Sequence, residues 1–138
     1  MTDGAAGSVL DASTLLAYLQ AEPGAETVEE ALIARAVIST INYAEVLSRL
    51  GDAGQDPESV HRHLRSQGLI GGLLEVLPLH ENDGVVIAQL RASTRTQGLS
   101  LGDRACLATG LRLDRPVLTA DRAWSTVRAG VTVLQIRP

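Results

Sequence analysis

Asp-Arg-Ala occurs twice, at Asp103–Ala105 and Asp121–Ala123, eighteen positions apart, with an apolar helical stretch and an apolar strand between the copies. A third aspartate, Asp11, closes the short apolar run that begins at Ser8. Carboxylates gathered on one small rim repel, and each raises the pKa of the others unless a cation intervenes. The chain has no lysine; its twelve cationic side chains are all arginine. The neutralising cation is therefore an arginine or a metal ion, and grouped oxygen donors suit Mg2+ or Mn2+, hard ions that keep several waters. Each aspartate also has a structural explanation. Ser100 and Asp103 have the spacing of a capping box, Asp121 opens a helical stretch whose dipole favours a carboxylate, and Asp11 fits a turn or cap.

Spacing argues that the aspartates meet. A helix from Asp103 to Leu113 runs about 15 Å. The chain reverses at Asp114-Arg115-Pro116, and the four or five extended residues that follow return about 13–16 Å. Asp103 and Asp121 then share a rim. Asp11 also ends a strand, and open parallel sheets bind ligands beyond the carboxyl ends of their strands. A fourth acid, Glu45, lies in STINYAEVLSRL. Tyr43, Val46, Leu47 and Leu50 form the apolar stripe of that helix, and Glu45 lies off it with Arg49 one turn on. Periodicity alone makes that a solvated i,i+4 pair worth about 0.2–0.5 kcal/mol.

The elements that must position these acids alternate along the chain. Strands are expected at Ser8–Asp11, Ala36–Ser39, Leu73–Leu79, Pro116–Thr119 and the final VTVLQI. Helical stretches lie between them: one from Ser13, as N-cap, to Pro23-Gly24; AETVEEALIARA; TINYAEVLSRLG, closed by Gly51; and one from Asp56 and Pro57 to Gly68. The others are a helix running unbroken from Glu81 to Gly98, GDRACLATGLRL, and a short helix from Asp121. Strands separated by helices imply crossover units and a mainly parallel sheet covered on both faces. At 138 residues, 45% of them hydrophobic, residues 1–138 form one domain, with residues 1–7 as a flexible lead-in. Three aromatic residues and no phenylalanine leave an aliphatic core.

Composition narrows the function. No apolar run approaches a membrane span, the N-terminus has no signal-peptide pattern, and the single cysteine, Cys106, fits a reducing cytoplasm. Residues 1–69 carry a net charge of -6 and residues 70–138 one of +2. Five of the eight arginines of the second half, Arg104, Arg112, Arg115, Arg122 and Arg128, are candidate contacts for a nucleic-acid backbone. Aspartyl-phosphate chemistry, which also uses aspartates at strand ends, generally relies on a lysine that this chain lacks. His61 and His63, two apart on a helix, point in different directions and do not form a metal pair. Trp124 reads as packing beneath the acidic rim, Cys106 as core, and His80 as a cap or surface residue. The apolar helices at Leu15–Leu19 and Val28–Ile33 are core, or the surface of a dimer or partner groove.

Four segments together resemble the PIN-domain ribonucleases, and specifically the VapC toxins of bacterial toxin–antitoxin pairs. SVLDASTLLAYL resembles the first family motif, VISTINYAEVLSRL the second, LSLGDRACLATGLRL the third and PVLTADRAW the fourth. The resemblance implies a three-layer α/β/α sandwich around a five-stranded, mainly parallel sheet. It also implies an endoribonuclease dependent on Mg2+ or Mn2+. Carried over by position, Asp11, Glu45, Asp103 and Asp121 are the catalytic and metal-binding acids, and Ser13 and Thr119 the polar residues that orient them. The implied partners are an RNA substrate, a cognate antitoxin and a second copy of the chain. A catalytically inactive PIN module that binds protein or RNA is the alternative, and a structure-specific DNA nuclease a further one. Gly102 stands where other members often carry alanine.

Overall fold

The computed structural model describes residues 7–138, so all but the last residue of the expected lead-in lies outside the described residues. Five strands, β1 (Val9–Leu10), β2 (Ala36–Ser39), β3 (Leu74–Leu77), β4 (Val117–Thr119) and β5 (Val133–Gln135), form one sheet in the order β3-β2-β1-β4-β5. All four pairings are parallel, with Leu10 opposite Ile38 on one side and Leu118 on the other. Six helices cover it: α1 (Ala12–Leu19), α2 (Ala25–Ile33), α3 (Thr40–Asp52), α4 (Pro57–Ser66), α5 (Glu81–Ser93) and α6 (Leu101–Leu113).

Alternation along the strands divides the interior into two cores. Leu10, Ile38 and Leu118 face a cluster with Leu15, Val28, Leu32 and Val46 from α1, α2 and α3. Val9 and Val117 face the opposite way, onto Ile87, Leu107 and Trp124. The result is the three-layer sandwich that the alternation of elements implies. Gly110 fixes how closely α6 approaches the sheet: a Cβ there would lie 2.6 Å from Val117 Cγ2, a separation no packed core holds.

Local chemistry shifts several expected boundaries. Asp11, not Ser13, caps α1, because its carboxylate accepts the Thr14 N–H at 2.9 Å. Gly51 does not end α3, which runs on to Asp52; the left-handed residue after it is Gly54. The stretch from Glu81 to Gly98 is not one helix. α5 stops at Ser93, where the buried Thr94 hydroxyl donates to the Leu90 carbonyl at 2.7 Å, and a 3-10 turn (Arg95–Gln97) follows. The segment after Asp121 is likewise a 3-10 turn, Arg122–Thr126. Of the apolar helical faces, Leu15, Val28 and Leu32 are core, whereas Ile33 is 68% exposed. No helix among the described residues is long and apolar enough to cross a membrane.

Candidate active site

β1 and β4 lie side by side in register, so the residues that end them meet. The Thr119 hydroxyl donates to Asp11 Oδ2 at 2.6 Å and accepts the Asp121 N–H at 3.0 Å. On the other side, the Ser13 hydroxyl donates to Asp11 Oδ1 at 2.7 Å and accepts the Ala120 N–H at 3.0 Å. Two hydroxyls thus tie the first aspartate to the backbone that carries the fourth. Ser13 and Thr119, the polar positions expected to orient the acids, both hydrogen-bond Asp11 directly.

Glu45 and Asp103 arrive from the two helices that pack across this edge. The buried Asn42 side chain donates to Glu45 Oε1 at 2.8 Å and to the Gly102 carbonyl at 2.9 Å, fastening α3 to the first turn of α6. Asp103 is the third residue of its helix, and its Oδ2 accepts the Ser100 N–H at 2.9 Å. Asp121 Oδ1 accepts the Ala123 N–H at 2.9 Å. Asp11, Asp103 and Asp121 are therefore capping residues that stand on the wall of one cavity. A cap occupies one oxygen of a carboxylate and fixes the direction of the other.

All four acids line one cavity of about 290 Å3. None of them is in an ion pair; the side-chain pairs among the described residues are Arg112 with Asp83 and Arg137 with Glu22. Arg49, one turn from Glu45, lines the same cavity without pairing with it. Asp11 is 4% exposed. Burial pushes its pKa up to about 6, against the lowering effect of hydrogen bonds from Thr119, Ser13 and Thr14. The thiol of Cys106 is pushed well above its ordinary value, first by burial and then by the negative charges of Asp11, Asp103 and Glu45. Cys106 is accordingly core and senses three of the acids at once.

Hard, anionic, unpaired oxygens facing a common space are the donor set of a hydrated magnesium-like ion. Among the described residues, no three Asp, Glu, His or Cys side chains stand close enough to hold one ion directly. The set therefore fits an ion held by one or two carboxylates with waters in its remaining positions, the usual habit of Mg2+.

The expected arginines scatter. Arg122, next to Asp121 in the sequence, is exposed. Arg128 is exposed and lines a different hollow, with Trp124. Arg115 precedes β4 at the opposite end of that strand, its guanidinium beside Gly7. Arg112 is engaged by Asp83, His80 and the Pro78 carbonyl. Arg104 is no surface cation: it is 7% exposed, and its Nη1 donates to the Ile87 carbonyl at 2.9 Å. His61 meets the Tyr43 hydroxyl at 2.7 Å, His80 is the N-cap of α5, and Trp124 is buried at 1% exposure. Sequence reasoning misses Asn42, Glu22 and Arg137, and names Arg49 only as the i,i+4 neighbour of Glu45. Asn42 lies one helical turn before Glu45 and is open to detection by that spacing; Arg137 reaches the cavity from the segment after β5, where no local pattern marks it.

The chain belongs to the PIN domain family, whose sequence pattern matches residues 8–130. Its fold is similar to that of a toxin–antitoxin complex from Klebsiella pneumoniae (17% identity, 94% of this chain and 98% of that chain covered, TM-score 0.70). It is also similar to FitAcB from Neisseria gonorrhoeae (24%, 93% and 96%, TM-score 0.69) and to VapBC-1 from nontypeable Haemophilus influenzae (20%, 94% and 97%, TM-score 0.69). No curated protein sequence matches it.

Proposed function

We propose that this PIN domain is an endoribonuclease of the VapC toxin type, dependent on Mg2+ or Mn2+ and restrained by a cognate antitoxin. One observation carries the reading: four carboxylates from four separate elements line a single cavity, and none is neutralised by an arginine. The structural neighbours that are toxin–antitoxin complexes support the antitoxin. A homodimer in the cytoplasm completes the proposal.

A phosphodiester is a poor electrophile because its oxygens are negative, and a bare acidic cleft repels it. Asp11 and Asp103, with Glu45 and Asp121 acting through waters, would hold a divalent cation, which would supply positive charge for the phosphate and lower the pKa of a water. The chain's own work is positioning. Thr119 and Ser13 fix both oxygens of Asp11, and Asn42 fixes Glu45 over the start of α6. Glu45 and Asp121, nearer solvent than Asp11, orient the attacking water, and one of them accepts its proton. Arg122 meets the RNA backbone.

The test is incubation of the purified chain with total RNA and Mg2+ or Mn2+, with and without chelator, followed by mapping of the cut ends. Discrete cuts that disappear with chelator and in Asp103→Asn are expected. Intact RNA under every metal condition overturns the reading.

A further inference from the structure

Where α5 ends and α6 begins lies a second recess of about 360 Å3. Arg91, Arg95 and Arg104 line it together with Thr94, Ser100 and Leu101, and no carboxylate among the described residues does. Arg104 is 7% exposed, yet its buried Nε has no hydrogen-bond partner. Arginine keeps its charge at any physiological pH, so this cation cannot relieve its burial by losing a proton, as Asp11 can by gaining one. Neither Arg91 nor Arg95 is in an ion pair among the described residues. The amide N–H groups of Leu101 and Gly102, at the positive end of a 13-residue helix, also have no acceptor among the described residues.

We propose that this recess binds a phosphate, specifically a backbone phosphate of the RNA strand whose neighbouring segment occupies the acidic cavity. The inference rests on the nuclease reading and deepens it. A planar guanidinium fork matches phosphate oxygens, and a helix N-terminus adds oriented N–H donors. Adjacency supports a polyanion that presents successive phosphates. Ser100, on the wall of the recess, is the capping partner of Asp103, on the wall of the cavity, and Arg104 is the next residue along. One turn of α6 thus separates a cavity lined by five carboxylates and two arginines from a recess lined by three arginines. The same layout disfavours an acidic peptide, which the neighbouring carboxylates repel.

The experiment uses the full chain with Asp11→Asn, which binds without cutting, and a fluorescein-labelled single-stranded RNA oligonucleotide. Adding Arg91→Gln and Arg95→Gln together, both exposed and distant from the core, is expected to weaken binding about fivefold to tenfold. The same change lowers the salt slope by up to about 0.7, the contribution of one single-strand phosphate, since Arg104 remains. In the singly substituted chain, the Arg104 Nε–H resonance shifts as the oligonucleotide is added. Unchanged affinity and slope, or an unmoved Arg104 resonance, overturns the site. So does binding of the oligonucleotide that an acidic peptide of equal charge displaces from the recess more effectively than unlabelled RNA. The two readings fail separately. A chain that cuts RNA but binds it independently of Arg91 and Arg95 keeps the nuclease and loses the recess, whereas arginine-dependent binding without any cutting by the unsubstituted chain does the reverse.

Discussion

Gly102 lies directly beneath the Glu45 carboxylate, so that a Cβ on it would collide with Oε1 and stand 2.7 Å from Cδ. Glycine in the first turn of α6 is costly, by about 0.5–1 kcal/mol relative to alanine. The position is kept clear for the acid of another helix. Gly102→Ala therefore separates stability from activity. The variant is expected to melt at the same temperature as the parent or slightly above, because the far end of Glu45 can swing away. That swing breaks the Asn42 bond to Glu45, and RNA cleavage falls about tenfold, by the loss of roughly 1.4 kcal/mol of positioning. Calorimetry and a cleavage time course on the same preparation check both halves; an alanine variant with undiminished cleavage shows that Glu45 keeps its place without Gly102.

Asp11 makes stability fall with pH in a defined window. Folded, its carboxyl holds a proton up to a pKa of about 6; its ordinary value is 3.8. Between those two values the folded chain binds more protons than the unfolded chain, so the fold loses stability as pH rises through the window and regains it as pH falls. The full effect is at most about 3 kcal/mol, at 1.36 kcal/mol per pKa unit. Asp11→Asn carries no such charge. In chelator, its melting temperature should exceed that of the parent at pH 7.5, and the gap should close towards pH 4. Melting curves of the two proteins across that range decide it, and a gap that widens on acidification contradicts the burial of an unpaired carboxylate.

How the acids meet is partly written in the sequence. The strand–helix alternation gives the parallel sheet, and the length of α6 against the return run to β4 brings Asp121 back beside Asp103. Four motifs point to the family. Glu45 is the hard case. Its helical position is that of a solvated residue paired with Arg49, and only the packing of α3 across α6, through the Asn42 hydrogen bond to the Gly102 carbonyl, turns it into the cavity. Arg104 misleads for the complementary reason. Arginine is mostly a surface residue, but the α5–α6 hairpin closes over this one and gives its guanidinium the Ile87 carbonyl. The break at Thr94 is hidden because the helical pattern runs through it; the reason lies in a side-chain hydroxyl competing for a backbone carbonyl.

The Thr119 hydroxyl bonds both Asp11 and the Asp121 amide, and the residue is fully buried. Thr119→Val keeps the shape and deletes the donor. Leaving a buried carboxylate short of its partner is expected to cost about 1–3 kcal/mol at pH 7.5. The hydrogen bond from Thr119 is the largest of those holding the Asp11 pKa down, so without it that pKa rises further above about 6. The acidic limb of the cleavage profile then moves to higher pH, which a purely structural defect does not do. Thr119→Ser, which keeps the hydroxyl, restores the limb. A valine variant with the parental pH profile shows that Asp11 ionisation does not govern the reaction.

Four unpaired carboxylates around one cavity repel one another in the folded chain, and that repulsion is relaxed when the chain unfolds. A cation that enters the cavity removes it, and a ligand bound only by the folded form stabilises by RT ln(1 + [L]/Kd). At one hundred times Kd this amounts to about 2.7 kcal/mol, which for a chain of this size is a rise in melting temperature of several degrees. Mg2+ or Mn2+ is therefore expected to raise the melting temperature of the parent, excess chelator to reverse the rise, and Asp11→Asn or Asp103→Asn to blunt it. The readout needs no RNA, so it tests the cavity apart from the substrate. A melting temperature indifferent to both ions, at concentrations that support cleavage, places the metal requirement somewhere other than these four side chains.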